Sequence, residues 1–363
     1  MGDYSQCIQH KYKNDFCIKC LQKDEDKKSL EQQLPRIAVL ATGGTIAGET
    51  DPTELTGPYR SGVLSIEQLL AAVPMLSKVA RIRAEQVANI DSKDMTIDLW
   101  GKLVIHANEL LASPEVDGIV ITHGTDTLEE TAYFLNLLVK SKKPVVLTAA
   151  MRPATAVSAD GPLNLLEAVV VAGSKASEEQ GVLVVMNDEI FSAHDVTKMN
   201  TYSVGSFQAS EFGALGWIHE NQVHFERSLV GTHFNTTHSR FSIEKMCKLP
   251  QVEIAMSYAE SSRTSIDAFV ANGAKGIVIA GTGDGTLHKV LQQAAIDAVR
   301  QGVAIVRSYR VSYGHVSHEK LDDEADFLTA GTLNAWKARV LLMLILAEGI
   351  NDHAERQYIF DHY

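Results

Sequence analysis

Gly118-Ile-Val-Ile-Thr122 runs directly into His123-Gly-Thr125-Asp126-Thr127 and then into Leu128-Glu-Glu-Thr-Ala-Tyr-Phe-Leu135. A β-branched run, a hydroxyl-rich turn and a helical pattern, in that order, describe a strand handing over to a helix. Such turns stand above the carboxyl edge of a parallel sheet, where open α/β folds bind their ligands. This one carries two threonine hydroxyls and a carboxylate. A turn of the same kind lies upstream, where Ile37-Ala-Val-Leu-Ala41 leads into Thr42-Gly-Gly-Thr45-Ile-Ala-Gly48. Two such turns on neighbouring strands read as an active site.

Outward from these turns, short β-branched runs alternate with helical stretches, the signature of a parallel sheet with crossover helices. Strands are expected at 36–41, 118–122, 144–149 and 182–186, and helices at 96–112, 127–140 and 160–175. The stretch 187–225 loses the alternation and reads as turns and antiparallel strands. After a polar connector the pattern resumes: strand 252–256, helix 264–272, strand 276–280, helix 286–300, strand 303–307 and a long helix from Asn334. The expectation is an α/β protein with a larger N-terminal parallel-sheet domain and a smaller C-terminal α/β domain. Its divisions are a polar tail over 1–34, the first domain over 35–225, a linker over 226–250 and the second domain over 251–363.

The 363 residues suit two cores better than one, and 45% hydrophobic with 21% charged residues is ordinary for a globular enzyme. A net charge of −12 argues against nucleic acid and anionic membranes as partners. Residues 1–33 lack the apolar core of a secretion signal. Val340-Leu-Leu-Met-Leu-Ile-Leu-Ala347 falls far short of the roughly 18 residues of a membrane span. The expected location is cytoplasmic.

Cys7-x-x-His10 and Cys17-x-x-Cys20 supply four potential zinc ligands in two knuckle-like pairs. Their separation is shorter than zinc-finger spacing, and the reading adopted is a polar tail with reduced thiols and no metal. Gly281-Thr-Gly283-Asp-Gly285 lacks a correctly placed third glycine and reads as a tight turn, not a dinucleotide site. Asp160 reads as a helix cap, and His315 and His318 as surface residues. His123 is expected to pack beneath its turn. Lys198, taken alone, is a solvated charge.

Together these segments resemble the bacterial-type L-asparaginases and related glutaminase-asparaginases. The resemblance rests on Ala41-Thr-Gly-Gly-Thr-Ile-Ala-Gly48, Ile121-Thr-His-Gly-Thr-Asp-Thr127, Ala149-Ala-Met-Arg-Pro153 with Ser158-Ala-Asp-Gly-Pro162, Met186-Asn-Asp188, Asp195-Val-Thr-Lys198, and Gly331-Thr-Leu-Asn334 with Lys337-Ala-Arg-Val340. It implies cofactor-free hydrolysis of a side-chain amide such as that of L-asparagine, in a homotetramer whose sites form between paired subunits. By the same resemblance Thr45 is the nucleophile and Tyr59 its activator, while Thr125, Asp126 and Lys198 form a second trio. Asp126 also holds the substrate's α-amino group, Ser92 its α-carboxylate, and backbone N–H groups near Thr125 and Ala150 the oxyanion.

Three positions depart from the family. Lys93 stands where secreted-type members carry Gln or Glu at a substrate contact. The glutamate that the family supplies across its subunit interface maps on Glu319 in a gap-free register, whereas alignment on Asp322-Asp323 would put Lys320 there. Thr286 replaces an interface asparagine.

Overall fold

The computed structural model describes residues 34–50, 59–227 and 239–363, the side chains of Thr50, Tyr59 and Cys247 excepted. Cys7, His10, Cys17 and Cys20 lie outside the described residues. The large sheet is built from β1 (Arg36–Gly43), β4 (Arg81–Ile90), β5 (Gly118–Thr122), β6 (Val145–Thr148), β7 (Val182–Met186), β8 (Glu189–Ser192), β11 (Gly216–His219) and β12 (Gln222–Phe225). Short pairs β2 (Glu49–Thr50) with β3 (Tyr59–Arg60), and β9 (Thr197–Lys198) with β10 (Phe207–Gln208), lie beside it. The spatial order is β12-β11-β8-β7-β6-β5-β1-β4. Strands β4, β1, β5, β6 and β7 run parallel, and β8, β11 and β12 then alternate in direction. A second, four-stranded parallel sheet follows: β13 (Val252–Met256), β14 (Gly276–Gly281), β15 (Ala304–Tyr309) and β16 (Phe327–Thr329).

The strands buried on both sides are the continuous β-branched runs legible in the sequence. Strand β4 was not among those expected. It is an edge strand whose sequence, Arg-Ile-Arg-Ala-Glu-Gln-Val-Ala-Asn-Ile, is half polar, with four of its ten residues exposed and none fully buried. Such a strand carries no apolar run to give it away. Helices fall at Ile97–Ala112, Leu128–Leu138 and Gly161–Ala172, inside the expected ranges. The C-terminal helix breaks in two, Ala335–Ala347 and His353–His362, because Gly349 turns through φ +76°.

The β1–β4 connection packs its helices Ile66–Ala71 and Leu76–Val79 on one face of the sheet, whereas the helix after β5 packs on the other. Neighbouring connections that leave in opposite directions open a crevice beyond the carboxyl ends of their strands, the usual ligand position in such sheets. Here that crevice lies between β1 and β5, paired in register from Ile37↔Gly118 to Ala41↔Thr122.

The connector is more than a polar bridge. Phe241 and, in the 3-10 turn Ile243–Lys248, Met246 are buried in the same apolar cluster as the helices of both sheets. Helix Ala335–Ala347 belongs to that cluster along most of its length, covering the second sheet on one side and helix Leu128–Leu138 on the other.

Candidate active site

Each threonine turn is placed by glycine. After β1 the chain turns through Gly43 (φ +100°) and Gly44 (φ +82°), conformations that L side chains rarely adopt. A Cβ on Gly44 would sit 2.4 Å from the Cα and N of Gly124, so the two turns touch backbone to backbone. Thr45 opens a short 3-10 turn and is buried. Just beyond β3 the chain returns to this turn, with Gly62 N–H donating to the Gly44 carbonyl at 3.1 Å. Tyr59, described by its backbone alone, pairs with Thr50 in the antiparallel β2–β3 ladder.

The second turn is held from below and from the side. His123 is fully buried, with Nδ1 2.7 Å from the Gly124 carbonyl and Nε2 3.0 Å from Thr131 Oγ1. Trp100 Nε1 donates to that same Thr131 oxygen at 2.7 Å. The indole therefore donates to the hydroxyl, the hydroxyl to Nε2, and Nδ1–H to the carbonyl, which fixes a neutral imidazole with one tautomer. Burial pushes its pKa down to about 4. At the side, buried Ser92 accepts from Asp126 N–H at 3.1 Å and takes the Thr127 hydroxyl on its carbonyl at 2.7 Å.

Lys198 lies on β9, only 18% exposed at its side chain. Its ammonium donates to Thr125 Oγ1 at 2.9 Å and to Asp126 Oδ1 at 2.6 Å. This is not the solvated charge that its local sequence suggests. Thr125 is buried, whereas Asp126 is 54% exposed at its side chain, and a carboxylate has acceptor capacity beyond the one Lys198 bond for a ligand cation. A hydroxyl beside a fixed ammonium is suited to carry developing negative charge, the requirement for activating a nucleophile or a water.

Lys93 is 62% exposed at its side chain and bonds to Asp91, with Asp94 3.9 Å away. The Asp91 hydrogen bond raises the Lys93 pKa, partly offset by desolvation, and Asp126 adds to the rise. Ala150 is buried beyond β6, and its neighbours Met151 and Arg152 donate backbone N–H groups to Asp160, both at 2.9 Å. Asp160 occupies the N-cap position of helix Gly161–Ala172, but its side chain is turned to that loop and makes no cap hydrogen bond.

Among the described residues, no hydrogen bond brings Glu319 to the threonine turns. It stands exposed before helix Lys320–Ala325, where its carboxylate accepts from the first turn and its N–H donates to Asp322 at 2.8 Å. The competing residue, Lys320, pairs with Glu324 at 3.0 Å. Asp322 itself is buried, in a bidentate pair with Arg307 at 2.6 Å to each oxygen. The glycine-rich segment after β14 closes as a tight turn, with Thr282 and Thr286 bonded to each other. His318 pairs with Asp323, and no group of three or more metal-ligating side chains is assembled among the described residues.

Residues 36–231 match the family described as asparaginase, N-terminal, and residues 251–360 match the glutaminase/asparaginase C-terminal domain. The chain is 45% identical over 335 residues to L-asparaginase 2 of Bacillus subtilis, covering 92% of this chain and 88% of that protein. Against a glutaminase-asparaginase of Pseudomonas fluorescens it is 44% identical over 334 residues, 91% of each chain. The crystal structure of a probable cytoplasmic L-asparaginase from Campylobacter jejuni superposes with a TM-score of 0.87 at 43% identity, covering 91% of this chain and 100% of that one. With both parts of the sequence matched in order and the paired threonine turns in backbone contact, this chain belongs to the asparaginase family.

Proposed function

We propose that the protein is an L-asparaginase, hydrolysing L-asparagine to L-aspartate and ammonia through an acyl-enzyme on Thr45. The observation that carries the reading is the Lys198 ammonium seated on both Thr125 and Asp126, on a turn touching that of Thr45. In the first half-reaction the Thr45 oxygen attacks the side-chain amide carbon, assisted by Tyr59, while the oxyanion rests on backbone N–H groups near Thr125 and Ala150. The C–N bond breaks, the threonine proton leaves with ammonia, and a β-aspartyl ester remains. In the second, Thr125 with Lys198 polarises a water that adds to the ester, and Thr45 regains its proton as aspartate departs.

Asp126 binds the α-amino group, and Ser92 and Lys93 the α-carboxylate. No cofactor takes part. Glu319 serves the site of a paired subunit within a homotetramer, consistent with its distance in bonding from its own threonine turns. The place of action is the cytoplasm, a reading supported by the similar Campylobacter jejuni protein described as a probable cytoplasmic L-asparaginase.

Ammonia release from L-asparagine and L-glutamine, side by side, tests the assignment. Strong turnover of asparagine is expected, abolished in Thr45→Ala and lowered about a hundredfold or more in Thr125→Val, the scale of lost acid–base assistance. Faster turnover of glutamine would make the protein a glutaminase-asparaginase. Near-parental turnover in Thr45→Ala would remove that residue from the nucleophile's role.

A further inference from the structure

Lys198 is held by more than its two ligands at the site. Its own N–H points at Glu129 Oε1, 3.4 Å away, on the first turn of helix Leu128–Leu138. The other oxygen of Glu129 accepts from Asn334 Nδ2 at 3.1 Å, and the same amide nitrogen lies 3.3 Å from Thr197 Oγ1. Asn334 caps helix Ala335–Ala347 by accepting from Lys337 N–H. One turn on, the Lys337 ammonium, 1% exposed as a residue, donates to the carbonyls of His194 and Val196, at 2.6 Å each. These alternate carbonyls immediately precede β9, and one ammonium grips both.

We propose that Asn334 and Lys337 are positioning residues for Lys198, fixing β9 against Glu129 so that the Lys198 ammonium meets Thr125. The inference rests on the reading of Lys198 as part of the reacting trio. Glu129 is the common anchor, because it sits three residues beyond Asp126 and so ties β9 to the turn that carries Thr125. An ion buried this deeply needs compensation to remain charged. Glu129 and Asp195 supply it for Lys337, although burial still pushes its pKa down to about 8. A helix of the second sheet thereby sets the geometry of a side chain above the first.

Asn334→Ser tests this without removing the helix cap, since serine keeps an acceptor for the N-terminal turn and loses only the donors to Glu129 and Thr197. The expected result is a fall in kcat of about tenfold to a hundredfold, the scale of a displacement near 1 Å. KM for L-asparagine should change less than kcat, because Ser92 and Lys93 are untouched and Asp126 loses at most its Lys198 partner. Lys337→Met should act in the same direction, with its folding followed by a thermal melt. The deciding comparison is made in a Lys198→Met background. Residues acting through Lys198 should add almost nothing there, whereas independent effects multiply. If Lys198→Met lowers kcat but Asn334→Ser leaves the parent unchanged, or multiplies with Lys198→Met in full, the positioning role is overturned. If Lys198→Met itself turns over asparagine like the parent, the trio is wrong and the inference falls with it.

Discussion

Lys93 and His123 show how much of a residue's role depends on its surroundings. The ammonium of Lys93 is a point charge near Asp91, Asp94 and Asp126, in the segment that also carries Ser92. If it only attracts the substrate carboxylate, Lys93→Gln should raise KM for asparagine several-fold and leave kcat nearly unchanged. Steady-state kinetics at one pH decide this, and the reverse pattern would place Lys93 in the chemistry. His123 makes a prediction about stability. Its folded pKa is about 4 against an ordinary 6.5, so the unfolded chain binds the proton more readily. The stability this contributes is complete above pH 6.5 and is lost as pH falls from 6.5 towards 4, by about 3 kcal/mol in all. Urea unfolding at pH 7 and pH 5 should show the loss in the parent and a shallower one in His123→Gln. Placing His123 under the turn was legible in the sequence. The environment of Lys198 was legible only through the family resemblance, because its anchors at Thr125 and Glu129 are distant in sequence.

At the level of elements, the strands that carry the site were readable because both their faces are buried, which leaves an unbroken apolar run. Edge strand β4 and the break at Gly349 were not, since neither leaves a periodic signal. The contact between the two threonine turns was also beyond local reading, although the glycines that permit it stand in plain view. Gly44 has φ +82° and ψ −173°, a region almost exclusive to glycine and worth about 1–3 kcal/mol against other residues. A methyl group there would also meet the Gly124 backbone at 2.4 Å. Gly44→Ala should therefore lower the melting temperature and cut ammonia release at least tenfold, as Thr45 moves off its mark. An active, equally stable Gly44→Ala enzyme would show that the two turns need no such contact.

For the whole molecule, the proposed role of Glu319 depends on a second subunit, since among the described residues no hydrogen bond ties it to its own threonine turns. Supply from a paired subunit makes a mixing experiment decisive. Inactive Thr45→Ala and Glu319→Gln chains, refolded together, should recover activity, because a mixed pair places both defects in one site and leaves the other intact. No recovery from well-formed mixed oligomers would confine Glu319 to capping its own helix. The two-sheet architecture was readable from the alternation, but the apolar cluster common to both sheets was not. It is made by Phe241 and Met246 in a stretch that looks polar, and by a helix whose contacts lie on two sides at once.

The bridge from Asn334 to Glu129 joins positions 205 residues apart. A ribosome adding about 5–20 residues each second needs on the order of 10–40 seconds to make the second partner after the first. Until Asn334 and Lys337 have been made, β9 has neither its amide tether nor the ammonium that grips its approach. A chain halted before Asn334 therefore carries every strand of the first sheet but none of the Asn334 and Lys337 contacts proposed to set Lys198 against Thr125.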